Sequence, residues 1–131
     1  MLQQRYCTFF LLVLFAATTA QAQEYWSTAD VYRGWDAFER CMACHTIERN
    51  AAHKVGPNLY SIIGKRAGSD PTYTSYSPAL KSSEIIWDYY TLDGYLGNSK
   101  VFIPGNRMAC GNISDPQERA DIIRYISTFS E

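Results

Sequence analysis

Apolar residues recur at steps of three and four in three separate stretches of the 131-residue chain, the spacing of helices that bury one face. The first stretch runs from Thr28 to Cys44, with Val31, Trp35, Phe38 and Met42 in phase. Gly34 interrupts it at a cost of about 1 kcal/mol relative to alanine, which a close crossing by a second helix would explain. The second runs from Asp88 to Leu96, with Leu92, Tyr95 and Leu96 facing inward and Gly97-Asn98 as its stop. The third has the clearest start: Asp115 can cap, Pro116 suits the first helical position, and Glu118 follows three residues after the cap. It predicts a helix from Pro116 to Thr128 whose stripe of Ile122, Ile123, Tyr125, Ile126 and Phe129 packs on the first helix. A shorter helical turn is expected over Asn58 to Ile63, between Pro57 and Gly64. Between Thr46 and Ser83 no segment alternates apolar and polar residues as a strand would, so the predicted class is all-α.

The amino-terminal residues follow another logic. A polar start containing Arg5 leads into an apolar run from Phe9 to Ala17 and then to small residues ending in Ala20-Gln21-Ala22. This is the order of a secretory signal, residues 1–22, cut between Ala22 and Gln23 and leaving one domain over 23–131. The alternative is a retained membrane anchor, but the uninterrupted apolar core is shorter than the roughly 20 residues that a spanning helix needs. Export fixes the reading of the cysteines. Of four in the chain, Cys7 would leave with the signal, and Cys41, Cys44 and Cys110 remain. The formal net charge of −1 becomes one unit more negative when Arg5 is lost, which excludes the basic balance of a general nucleic-acid binder and of a polycationic membrane adhesin.

The long stretch from Thr46 to Ser83 is rich in Gly, Pro, Ser and Asn and nearly without periodicity. Such a loop is unusual inside one small domain unless a large apolar cofactor gives it something to pack against. Cys41-Met42-Ala43-Cys44-His45 supplies the reason. Two thiols three residues apart can each bond one vinyl carbon of a porphyrin, while the next imidazole is placed to bind its iron. A dithiol redox pair would be expected beside a strand-to-helix unit, and a closed zinc site would need a fourth ligand; neither accompanies the motif. The expected cofactor is therefore one covalent haem c, with His45 as one metal ligand.

For the far side of the iron the candidates are Met42, Met108, His53 and an open or water-filled position. Met42 lies inside the attachment loop. His53 is close to it in sequence and is expected to tie the loop to backbone carbonyls. Met108 ends the turn Ile103-Pro104-Gly105-Asn106-Arg107-Met108, which can bring a thioether back over the ring, and it is the expected second metal ligand.

Several segments together resemble the class I cytochromes c, the bacterial and mitochondrial-type electron carriers, from about Val31 to Phe129. They are Gly34 and Phe38 ahead of the Cys-x-x-Cys-His motif, His53-Lys54-Val55-Gly56-Pro57-Asn58-Leu59, the turn through Met108, and Tyr125 with Ile122 and Ile126. The resemblance implies a compact class I cytochrome c fold, with three main helices, short helical turns and long loops around one covalent haem. It implies that the Pro57 carbonyl supports the His45 imidazole, that Tyr76 and Trp87 hydrogen-bond the propionates, and that Tyr95 lies buried near the methionine. Asn106 and Arg107 stand where Thr and Lys are common. Lys65 replaces a frequent arginine, and Cys110 stands where an aromatic residue usually borders the haem edge; partial burial of that thiol is expected.

An iron with both axial positions filled has no site for oxygen or peroxide, so the expected role is one-electron carriage and not bond-making catalysis. Arg40, Lys54, Lys100 and Arg107 are candidates for a positive rim that steers docking. The resemblance implies partners such as a quinol–cytochrome c reductase, a terminal oxidase or a periplasmic dehydrogenase, met by a monomer in the periplasm. A haem peroxidase, or a redox subunit or sensor with a labile sixth ligand, is the competing reading.

Overall fold

The computed structural model describes residues 26–130. The predicted signal, its cut and Cys7 lie outside the described residues. Five helices lie wholly within them: α1 (Val31–Met42), α2 (Pro78–Ser82), α3 (Tyr89–Gly97), α4 (Ser99–Phe102) and α5 (Pro116–Ser127). The only extended pairing among the described residues is an isolated antiparallel bridge between Arg66 and Ile86. The all-α expectation therefore holds, with α1, α3 and α5 as its three main helices. No described helix is long and apolar enough to cross a membrane.

The principal contact is between α1 and α5. Gly34 makes it possible: a Cβ built there would lie 2.0 Å from the Asp121 carbonyl oxygen and 2.8 Å from Tyr125 Cβ. The backbones meet where the sequence has its smallest residue. Phe38 is fully buried one turn on, with its ring 5.2 Å from that of Tyr125. Ile122, Ile123 and Ile126 of α5 complete this core, and Leu92, Tyr95 and Leu96 of α3 join it. Trp35 departs from the predicted stripe. It is 49% exposed, because the buried face of α1 is centred on Gly34 and Phe38 and not on the largest apolar side chains.

Polar groups lock the same crossing. Asp121 is buried on α5, and its carboxylate accepts from the Asp30 backbone N–H at 2.8 Å, from Arg33 Nε at 2.7 Å and from Gln117 Nε2 at 3.1 Å. Burial alone would raise the Asp121 pKa, but the bonds from Arg33, Asp30 and Gln117 outweigh it and hold the carboxyl below its ordinary value. Between α3 and α5, Arg119 Nε donates to Asp93 at 2.6 Å.

Each main helix has the cap its sequence offers. Asp30 accepts from Arg33 N, Asp88 forms a reciprocal capping box with Thr91, and Asp115 accepts from Gln117 N ahead of Pro116. The helical turn expected over Asn58–Ile63 is not one. Ser61 has φ 52°, outside the helical region, and Asn58 spends its side chain on the loop, accepting from Tyr60 N and donating to the carbonyls of Glu48 and Ala51.

Candidate functional site

Cys41 lies in the last turn of α1, and the chain then curls back so that both Cys44 N and His45 N donate to the Cys41 carbonyl, at 3.0 and 2.9 Å. This turn brings both thiols and the imidazole to one cavity of about 340 Å³, enclosed by α1, α3, α5 and the long loops. Met108 lines the same cavity from far along the chain. So do Pro57, Tyr76, Trp87 and Tyr95, and apolar groups such as Leu59, Leu80 and Ile126 fill the remaining wall.

The imidazole is held in one orientation. His45 Nδ1 lies 2.7 Å from the Pro57 carbonyl, which can only accept, so Nδ1 carries the proton and Nε2 keeps its lone pair. Burial lowers the His45 pKa, which keeps the ring neutral and able to ligate. Gly56 lets the loop pass across the ring: a Cβ there would meet His45 Cε1 at 2.3 Å. Gly56 N in turn donates to the Cys44 carbonyl at 2.7 Å, closing the loop onto the attachment motif. The donor set fits a haem: two thiols on one side, a neutral imidazole presenting Nε2, a thioether on the same cavity, and an apolar wall. Burial pushes the Cys41 thiol up to about 11, and the nearby Cys110 adds to the shift, so the free thiol is protonated at neutral pH.

Tyr76 and Tyr95 are both raised to about 12, chiefly by burial, and remain hydroxyl donors at any ordinary pH. Trp87 is buried against Tyr95, with ring centroids 5.0 Å apart. Its backbone is tied to the opposite loop by Gly64 N donating to Trp87 O at 2.7 Å and Trp87 N donating to Lys65 O at 2.8 Å. Lys65 itself turns its ammonium to the Tyr60 carbonyl at 3.1 Å.

Comparison with known proteins agrees with this geometry. The family model described as Cytochrome c matches residues 31–130. The chain is 44% identical to a cytochrome c of Sesamum indicum over 98 residues, covering 74% of this chain and 87% of that protein. It is 45% identical to a cytochrome c2 of Agrobacterium tumefaciens over 100 residues, covering 74% and 89%. Among solved structures it is similar to cytochrome cH from Methylobacterium extorquens, with a TM-score of 0.69, 39% identity, and coverage of 76% of this chain and 99% of the other. The chain belongs to the cytochrome c family. This cytochrome is accordingly a one-electron carrier and not an enzyme, and membership implies a covalently bound haem c.

Three expectations change on the cytochrome's own geometry. Cys110 is exposed, not partly buried, and borders the cavity. Arg40 is paired with Glu118 at 2.6 Å, so its charge is largely cancelled and it adds little to a positive rim. Lys54 and Lys100 donate to the carbonyls of Met42 and Asn106, at 2.5 and 2.7 Å, and keep their charge, while Arg107 is exposed on the cavity lining. His53 has a structural place, but by accepting: its Nδ1 takes the Asn58 backbone N–H at 2.9 Å, and Nε2 lies 2.9 Å from Thr72 Oγ1.

Sequence reasoning missed the work of Asn106. Its sequence signals were its position, two residues before a methionine in a Pro-Gly turn, and its standing, by resemblance, where a hydrogen-bonding Thr is common.

Proposed function

We propose that this cytochrome carries one haem c per molecule, bound through thioethers from Cys41 and Cys44 and ligated by His45 Nε2 and Met108 Sδ. In this reading it is exported after loss of residues 1–22 and shuttles single electrons in the periplasm between larger redox proteins, such as a quinol–cytochrome c reductase, a terminal oxidase or a periplasmic dehydrogenase. The observation that carries the assignment is the convergence of both thiols, the oriented His45 and Met108 on one apolar cavity.

A bound haem supplies a reversible one-electron iron couple. The chain's own residues fix the conditions. The Pro57 carbonyl holds the His45 ring by its Nδ1 proton, and Gly56 keeps the loop closed over it. A neutral thioether ligand at Met108 favours the reduced iron more than a stronger donor would. Tyr76 and Trp87 offer an O–H and an N–H to carboxylates that would be costly to bury unpaired. Phe38, Leu59 and Ile126 exclude water from the inner wall.

The test is a reduced-minus-oxidised spectrum and a redox titration of the exported protein, repeated on Cys41→Ser/Cys44→Ser and on Met108→Ala. The double cysteine variant should lose haem on denaturation, whereas the parent keeps it. Met108→Ala should bind external ligands and show a lower potential. A Met108→Ala spectrum identical to the parent's in both oxidation states rejects Met108 as ligand. An amino terminus at Met1 in the mature protein rejects export by cleavage.

A further inference from the structure

The turn that carries Met108 has little packing of its own: Pro104 and Gly105 are exposed, Gly105 has φ 88°, and Arg107, Ala109 and Cys110 border the cavity. Left to itself such a segment would sample many conformations. Asn106 is the exception, 5% exposed, and its side chain uses its whole hydrogen-bonding capacity. Oδ1 accepts from the Met108 backbone N–H at 2.9 Å and from the Tyr95 hydroxyl at 3.2 Å. Nδ2 donates to the carbonyls of Ser99 and Ile103 at 2.5 and 2.8 Å. The amide cannot be turned over, because both carbonyls can only accept and the Met108 N–H can only donate.

From this arrangement we infer that Asn106 is the positioning residue for Met108, clamping its backbone to α4 and to Tyr95 so that the thioether is presented to the cavity. The inference rests on the reading of Met108 as an iron ligand and deepens it. A primary amide has two donor hydrogens and two acceptor lone pairs, and each is used here. A threonine has a single donor hydrogen and cannot serve both carbonyls. Alanine serves none, and would leave the buried Ser99 and Ile103 carbonyls and the Met108 N–H without these partners. The cost of breaking this clamp falls on the closed position of Met108, since an opened turn can give its polar groups to water.

The holoprotein and three variants test this: Asn106→Ala, Asn106→Thr and, as a control for general destabilisation, Asp121→Asn at the α1–α5 crossing. Imidazole is the probe for displacement of Met108, and hydrogen exchange of the Met108 amide is the second readout. Asn106→Ala should keep its covalent haem, bind imidazole at least about tenfold more tightly than the parent, and exchange the Met108 amide faster by a similar factor. Asn106→Thr should fall between the two, which keeps the inference testable should the alanine variant not fold. Asp121→Asn should lower global stability and leave imidazole affinity unchanged. Parent-like imidazole affinity and exchange in both Asn106 variants overturn the inference, as does an Asp121→Asn shift as large as that of Asn106→Ala. If the parent's methionine-to-iron absorption band survives in Met108→Ala, the ligand reading fails first, and that is visible without any Asn106 variant.

Discussion

Replacing Gly34 by alanine sets two effects of opposite sign against each other. Alanine in a helix interior is favoured over glycine by about 1 kcal/mol, so propensity alone predicts a more stable protein. The new Cβ, however, would sit 2.0 Å from the Asp121 carbonyl oxygen, 2.6 Å from its carbon and 2.8 Å from Tyr125 Cβ. Two of these atoms are backbone in the middle of α5 and cannot swing aside, so α1 and α5 must separate by roughly 1 Å, a gap that forfeits a quarter to a half of each dispersion contact across it. Phe38, Ile122 and Ile126 all pack at this crossing. Overpacking of a tight core typically costs about 1–3 kcal/mol, and a backbone obstacle belongs at or above the upper end, so the net expectation is a loss of about 2 kcal/mol or more. For a domain of this size that lowers Tm by roughly 10 °C. Thermal and guanidinium unfolding of the holoprotein would measure it, with Gly97→Ala as control: the Cβ there has Arg119 atoms at 3.6 Å as its nearest neighbours and should cost nothing. A Gly34→Ala protein as stable as the parent would refute the close-crossing account.

Two further outcomes follow from groups outside the attachment motif. The depressed Asp121 carboxyl binds its proton less readily in the fold than in the unfolded chain, so its stabilisation is complete above the unfolded value of about 4 and is lost as pH falls through the lower folded value. Asp121→Asn should therefore unfold earlier at neutral pH and show a shallower loss of stability between neutral and acid pH; equal acid slopes in the two proteins would remove Asp121 from that account. The exposed Cys110 should be labelled by a thiol reagent in the native holoprotein and give a reducible dimer that Cys110→Ser abolishes, and labelling only after unfolding would restore the buried reading.

The parts of this fold legible in the sequence are those specified by neighbours in the chain. Asp115-Pro116 announces α5 because a cap and its N–H partner lie within three residues of each other, and the close spacing of Leu92, Tyr95 and Leu96 announces α3. The attachment motif is legible for the same reason. Ser77-Pro78 carried an equally local cap signal for α2, but five residues are too few to show a period. The stripe through Trp35 misled, because helical periodicity marks large apolar residues while the contact face of α1 is set by the absence of a side chain at Gly34. Asp121 could not be anticipated at all: its partners Arg33 and Asp30 lie at the other end of the sequence, and nothing in either segment names the other.

The two sides of the cavity are secured by unlike means, and this has a consequence for which opens first. On the proposed reading His45 shares one helical turn with both attachment cysteines, so covalent bonds hold its backbone, and the Pro57 carbonyl with the closed Gly56 loop holds its ring. Met108 has no such tether. It reaches the cavity from a turn at the surface, and the side-chain hydrogen bonds on that turn converge on one amide, that of Asn106, with Lys100 adding a bond to the Asn106 carbonyl. Local opening follows the least-restrained segment, and closing a loop again from far along the chain must overcome its entropy each time. Mild denaturant or heat should thus release the Met108 side well before global unfolding, while the His45 side persists until α1 and α5 part. The opening of the methionine side is then governed by a few hydrogen bonds in the turn, and the survival of the histidine side by the packing of Gly34 against Asp121.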